Sequence, residues 1–392
     1  TILLVVFFLT SGSVFGQNTI IPDPEFEQQL INQGYDSGPI DGIVPTNNIN
    51  AITSLFLNST PIYTGNTFTY SPNYQDLTGI EDFTALTELI ILNSPNITTL
   101  NLSQNVNLKT LVMTHSSLTA IDLSQNINLE SLSIGESYSM NSIDLTNNLM
   151  LRSLSLSNIS PLNIVSLTNN TSLESLVLSG IGITSLDVSN NTSLNFIEVS
   201  YTSLVSLDLS QNTALTYLDC HNNQLTSLNV LNCSNLEVLY ASHNNLTYLD
   251  VNSLTELDTL WADYNQLIAL DMRGYNPQFP TSIAHSTYGN TNLTCIYVDD
   301  VNIANTWSYF AKDVYSNFSS IRNAVISSVN ASCNGGSNGA ATITTSGGTA
   351  AFTYLWNDPL GQTTNTATGL TAGTYSCVMT DIYGCGATES IT

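Results

Sequence analysis

The sequence predicts a solenoid of short stacked β-strands, mostly strand and irregular turn, followed by a small all-β sandwich module. Three observations carry that expectation. A leucine pattern returns nine times between Leu86 and Pro277, with units opening at Leu86, Leu108, Leu129, Leu151, Leu173, Leu194, Leu215, Leu236 and Leu257, at a spacing of 21 or 22 residues. Each unit nests two LxxLxL halves, as in Leu173, Leu176 and Leu178 followed by Ile183, Leu186 and Val188. From about Val325 the chain changes to alternating β-prone residues between Gly-rich turns.

A period in this range marks a leucine-rich repeat solenoid. One unit cannot bury its own apolar edge, so neighbouring units stack and share a continuous core. Alternation within each half points the leucines inward and the intervening residues outward, which makes each half a short strand. Strands of four to eight residues at regular spacing between turn residues are also what a β-sandwich requires.

Taken in order, the chain opens on an apolar run from Ile2 to Leu9 followed by small and polar residues. Residues 1–16 read as a signal peptide, with Val14 and Gly16 at the cleavage-site positions and Gln17 as the new N-terminus. The run is too short to span a bilayer, and the missing Met and basic flank imply that the first residues of the signal precede Thr1. Residues 17–85 read as an N-terminal cap with an opening repeat. Asp23-Pro24 before EFEQQLINQ supplies an N-cap, a Pro in the first turn and early acids, and Gly34 supplies the stop. Ile49, Ile52, Leu55 and Leu57 repeat the leucine rhythm once, and a polar, Tyr-rich loop is expected from Asn58 to Gln75. The nine repeats occupy 86–277. Residues 278–324 read as a C-terminal cap, with one more strand in NTNLTCIYVDD and with Trp307, Phe310 and Phe318 to cover the last turn. Residues 325–392 form the sandwich, with about seven short strands expected.

The composition restricts function. Thirty acidic residues face five basic ones, a formal net charge of -25, while only 9% of residues are charged. A nucleic-acid binder needs cations to neutralise phosphates, and an anionic membrane surface would repel this chain. No nucleic-acid partner and no direct membrane span are expected. None of the six cysteines has zinc-finger spacing. Cys220 takes a core leucine position and Cys233 replaces a ladder Asn, which makes both structural.

Two ladders run through the repeats. An Asn after the strand, LxxLxLxxN, satisfies backbone groups in the bend. In the second half of each unit this position holds Asn105, Asn126, Asn148, Asn170, Asn191 and Asn212, and then Cys233, Leu254 and Tyr275. In the first half it is irregular until Asn223, Asn244 and Asn265. The ladder therefore changes sides, and a shift in turn geometry is expected near residues 212–223. Asp122, Asp144, Asp187, Asp208, Asp250 and Asp271, with Asn101 and Asn229, recur at an outward position of the second half. Like charges at strand spacing repel. Neighbouring hydroxyls, water or calcium would offset this, although a flat row makes a poor calcium cage.

The outward positions of the first half are the most informative surface. In units two to five they are mostly Ser, Thr and Val. They then become Phe196, Glu198 and Tyr201; Tyr217, Asp219 and His221; Val238, Tyr240 and His243; and Thr259, Trp261, Asp263 and Tyr264. Aromatic rings offer contact area at low entropic cost and dominate interface hot spots. These residues form the candidate ligand-binding patch, for a protein or for stacked sugar rings. The bland alternative is ring packing that shields the sheet. His221 and His243 lie near Asp219, but no nucleophile elbow, HExxH or phosphate loop accompanies them. No catalytic residue, cofactor or resident metal is expected.

The repeat units resemble the secreted leucine-rich repeat proteins of Bacteroidetes, whose units look like LTYLDCxNNQLTSLDVSxNTA. Residues 215–225 and 183–193 match its two halves, and NTNLTCIYVDDV resembles that family's closing strand. The C-terminal segment resembles the repeat of the SprB gliding-motility adhesin through Ser332-Cys333-Asn334-Gly335-Gly336, Gly339, Gly347-Gly348, Tyr354, Trp356, Gly369-Leu370, Gly373-Thr374-Tyr375, Asp381 and Gly384-Cys385. Together the two resemblances cover residues 50–392. They imply an exported protein, secreted or held at the cell surface, with a sorting domain or further modules beyond Thr392 and the last module cut short there. Cys377 stands where that family has an apolar residue, and Cys333 and Cys385 flank the module as a candidate disulfide. The expected function is non-enzymatic adhesion to an extracellular protein or glycan. The alternatives are the carbohydrate-binding region of a larger polysaccharide-processing protein, and a structural stalk.

Overall fold

A computed structural model of the chain describes residues 17–392 apart from 65–66, 253, 275–284, 308–309, 322–323, 334, 346, 348–349 and 383. The expected signal segment, residues 1–16, lies outside the described residues, as do Tyr275, Asn334 and Gly348. The chain falls into two units, residues 1–162 and 163–392.

The first unit opens on the helix that the sequence announces, Pro24–Asn32. One carboxylate oxygen of Asp23 accepts the Glu25 and Phe26 N–H groups at 2.9 and 3.2 Å. The other accepts the Gln75 and Asp76 N–H groups at 2.6 and 3.0 Å, so a single side chain caps the helix and pins a distant loop. Buried Glu27 accepts the Asp41 and Gly42 N–H groups, each at 2.9 Å. The expected loop at 58–75 instead contains a hairpin, Thr60–Thr64 paired with Thr67–Ser71. Alternating Thr with Ile, Phe and Tyr suits an extended chain better than a loop. Five parallel strands follow one another in register: Ser54–Asn58, Glu88–Leu92, Thr110–Thr114, Ser131–Gly135 and Ser153–Ser157.

The second unit carries the parallel strands Ser175–Ser179, Phe196–Glu198, Tyr217–Asp219, Val238–Tyr240, Thr259–Trp261, His285–Ser286 and Phe310–Ala311. A second parallel sheet, Tyr248–Asp250, Ala269–Asp271, Cys295–Tyr297 and Asn317–Ser319, grows from the other half of the late turns. The parallel strands of both units are turns of a leucine-rich repeat solenoid, and the nine unit-opening leucines, four in the first unit and five in the second, are all buried. Strand pairing continues through residues 278–324. There the rings of Trp307, Phe310 and Phe318 meet with centroids 5.5–6.0 Å apart.

The Asn ladder changes sides where the spacing predicts. Asn212 donates to the Val188 and Asn191 carbonyls at 3.2 and 2.9 Å. Asn223, Asn244 and Asn265 then donate across the first half, each to a carbonyl 24 residues back and to one three residues back. Asn290 continues this ladder, donating to the Ala262 and Thr287 carbonyls. The strand geometry changes on either side of residues 212–223 rather than within them. First-half strands shorten from five residues at Ser175–Ser179 to three at Phe196–Glu198, and second-half strands begin at Tyr248–Asp250.

The C-terminal module is an antiparallel sandwich. Ala324–Val329, Gly339–Thr345 and Thr366–Leu370 form one sheet, and Thr353–Trp356, Tyr375–Thr380 and Gly386–Ile391 form the other. The described residues thus hold six strands, one fewer than the sequence suggests. Trp356 is buried between them, and its indole N–H donates to the Thr364 carbonyl at 2.9 Å. Cys377 is a buried thiol in the same core. The expected Cys333–Cys385 disulfide is not formed. Cys385 is bonded to Cys295 of the last leucine-rich turns, with Cα atoms 5.4 Å apart, while Cys333 is free and exposed. The reason is packing: Cys295 and Cys385 are buried in one cluster, where Tyr297 also packs and donates to the Gly386 carbonyl at 3.1 Å. No described helix is long and apolar enough to cross a membrane.

Candidate functional site

The parallel register of the second unit sorts the outward residues into columns. Phe196 sits beside Tyr217, and Glu198, Asp219, Tyr240, Trp261 and Ser286 follow one another in the next column. Period-two alternation makes these columns inevitable once the buried leucines fix the register. Phe196 and Tyr217 stack at 4.3 Å and 6°. Tyr217 meets Tyr240 edge-on at 5.9 Å, and Tyr240 meets Trp261 at 5.1 Å. Burial, and then the charge of Asp219, push the Tyr217 hydroxyl up to about 12.

A further column lies three residues past the strands ending at Glu198, Asp219, Tyr240 and Trp261, where each turn places its backbone in the left-handed region. Tyr201, Asn222, His243 and Tyr264 hold φ of 51–56°, flanked by Gly180 and Gly289 at 65° and 79°. Glycine takes this conformation freely, whereas Tyr and His pay steric strain there. Asn93, His115, Glu136 and Asn158 hold the same conformation in the earlier repeats, so it belongs to the turn of the repeat. His243 stacks on Tyr264 at 4.6 Å, and Tyr201 meets His221 edge-on at 4.8 Å. Gly289 has a local cause too, since a Cβ there would come within 2.7 Å of the Tyr264 ring.

Between these columns lies a concavity of about 480 Å³ lined by Tyr201, Asp219, His221, Asn222, Tyr240, Ser242, His243, Trp261 and Asp263. Seven of the eleven residues singled out from the sequence line it: Tyr201, Asp219, His221, Tyr240, His243, Trp261 and Asp263. Phe196, Glu198, Tyr217 and Tyr264 lie outside the lining, although Tyr217 and Tyr264 each pack on a ring that belongs to it. Sequence reasoning missed Asn222 and Ser242; their positions in the repeat were the available signal. It also missed Tyr288, which packs on Tyr264 at 5.9 Å beyond residues where the leucine rhythm fades. Asp219 is nearly buried, and its Oδ1 accepts from the His221 N–H at 3.0 Å and contacts His221 Nδ1. Oδ1 of Asp263 accepts from Ser286 Oγ and from the Tyr288 N–H. Burial raises the Asp263 pKa, and these two hydrogen bonds offset only part of that.

The second-half acids do something different. Asp122, Asp144, Asp187, Asp208, Asp250 and Asp271 each accept the N–H two residues on, at 2.9–3.1 Å, as do Asn101 and Asn229. These are Asx turns that shape the bend. Side-chain and backbone hydrogen bonds from the residue two on hold Asp122, Asp144, Asp187 and Asp208 below the usual carboxylate range. Among the described residues no three His, Cys, Asp or Glu side chains are grouped to hold a metal ion. Burial raises the thiols of Cys220 and Cys233, the latter to about 11, which suits inert core residues.

Residues 325–361 match the SprB repeat. No curated protein matches the chain in sequence. Among solved structures, the functional domain of InlJ from Listeria monocytogenes, which includes a cysteine ladder, is similar over 96% of this chain and 98% of its own, with 20% identity and a TM-score of 0.42. The internalin InlF of the same organism is similar over 76% of this chain and 96% of its own, with 18% identity and a TM-score of 0.45. A leucine-rich repeat protein of Leptospira interrogans covers 60% of this chain and 68% of its own, with 20% identity and a TM-score of 0.42.

Proposed function

We propose that this chain is an exported recognition protein, secreted or held at the cell surface, which adheres to an extracellular protein or glycan through the concavity on strands 196–264. It works by non-covalent contact and carries out no catalysis. The observation that carries the reading is the joining of aromatic, imidazole and carboxylate side chains in one exposed hollow. The match of residues 325–361 to the SprB repeat supports surface exposure. The ring pairs also fit the bland alternative, packing that shields the sheet, but Tyr201, Trp261 and Tyr264 remain 61%, 42% and 51% exposed. That is more than shielding requires.

A glycan array run beside a panel of purified extracellular proteins tests the proposal. The chain is expected to bind a member of one panel, and the Tyr240→Ala/Trp261→Ala variant is expected to lose that binding. Binding confined to polysaccharides would favour the carbohydrate-docking region of a larger protein. Silence on both panels, for the chain and the variant alike, would leave a stalk.

A further inference from the structure

We propose that the concavity receives a cationic side chain, lysine or arginine, presented by an extracellular protein. This rests on the reading of the face as a binding surface and narrows its ligand. The first argument is charge. Asp219 and Asp263 line the hollow, and the lining contains no Lys or Arg. The described cations of the same unit are engaged elsewhere: Arg273 pairs with Asp271, while Lys312 donates to the Ser316 carbonyl and lies 5.5 Å from the Phe318 ring. The lining's own partners for these carboxylates are imidazoles rather than Lys or Arg: His221 contacts Asp219, and His243 lies near Asp263. The hydrogen bonds that the described residues give to both carboxylates fall on Oδ1. Neither Oδ2 accepts a hydrogen bond from the described residues.

The second argument is ring geometry. A sugar platform needs free ring faces. Phe196 stacks on one face of Tyr217, and His243 on one face of Tyr264. Trp261 is different. Its neighbour in register is Ser286, too small to cover an indole, and Trp261 is 42% exposed. An indole face beside carboxylates is the best side-chain partner for an ammonium or guanidinium group. The hollow therefore offers a cation one π-face and two carboxylates; a pyranose would have only the exposed Trp261 and Tyr201 rings of the lining, without the carboxylates' charge.

The test is calorimetry on the full chain with three probes: a peptide carrying lysine and arginine, the same peptide with acetyl-lysine and citrulline, and a neutral oligosaccharide. The cationic peptide is expected to bind at least about tenfold more tightly than its neutral counterpart. Asp263→Asn and Trp261→Ala are each expected to remove about that factor at unchanged melting temperature. Asp187→Asn, on an Asx turn of the other half, controls for non-specific attraction to an acidic chain and is expected to change nothing. Equal binding of the neutral peptide, or binding of the oligosaccharide alone, would overturn the cation and leave the binding face standing. Peptide affinity that Trp261→Ala and Asp263→Asn do not alter would overturn both.

Discussion

Single residues decide how each coil closes, and the two Asn ladders are not equivalent at this scale. Asn244 donates to the Cys220 and Ala241 carbonyls and accepts the Leu225 N–H at 2.9 Å, so both ends of its amide are used. Asn212 uses only its N–H groups, and its buried Oδ1 has no donor. Replacing Asn244 with Leu strands a backbone donor that Asn212→Leu does not. Urea unfolding should show the Asn244 variant less stable than the Asn212 variant by on the order of 1–3 kcal/mol. Equal losses would mean the acceptor is idle. At Gly289 an added methyl meets the Tyr264 ring while φ is 79°. Gly289→Ala should therefore cost about 2–4 kcal/mol, from left-handed strain and overpacking together. The Asx-turn acids set a pH dependence. Their folded pKa lies below the unfolded value, so the stability they contribute is present above the unfolded pKa and is lost as pH falls through the folded one. Asp187→Asn/Asp208→Asn keeps the Oδ1 acceptor, as Asn101 and Asn229 do, and its melting temperature should fall less steeply than the parent's below about pH 4. Parallel curves would contradict this. Residues of this kind were legible in the sequence because a repeat fixes their positions. Asn290 was not, because the rhythm breaks before it.

At the scale of elements, the leucine period dictated the first-half strands and, through alternation, the buried faces; the second half, read as a strand in every unit, becomes one only from Tyr248–Asp250 on. What the period could not dictate was pairing between distant segments. Cys385 had a partner of similar sequence context in Cys333, yet the partner that packing brings to it is Cys295, on the strand Cys295–Tyr297. Cysteine spacing alone never fixes connectivity. The bond closes a loop across a sequence separation of 90 residues, worth about 4–5 kcal/mol in the chain-entropy model. Cys385→Ser should lower the melting temperature under non-reducing conditions, and Cys333→Ser should leave it unchanged. A destabilising Cys333→Ser would restore the other pairing. The hairpin at Thr60–Thr64 and Thr67–Ser71 escaped reading for a related reason. It stands outside the leucine rhythm, and its polar residues mask the alternation.

Across the whole molecule, a charge of -25 and the leucine rhythm could be read directly, and both restrict partners more than they identify one. The aromatic columns were legible because register follows from the repeat. The hollow between them was not, because it depends on ring angles and on left-handed residues that no propensity reveals. An acidic chain attracts cationic partners more weakly as salt rises, so retention on a partner surface should decline with ionic strength. The most direct measurement of the central claim is the retention of beads coated with this chain on a surface carrying the partner, compared with beads coated with the Tyr240→Ala/Trp261→Ala variant, after thermal melts establish equal folding. The account predicts at least about tenfold fewer beads held by the variant. Equal retention by two equally folded proteins would contradict it.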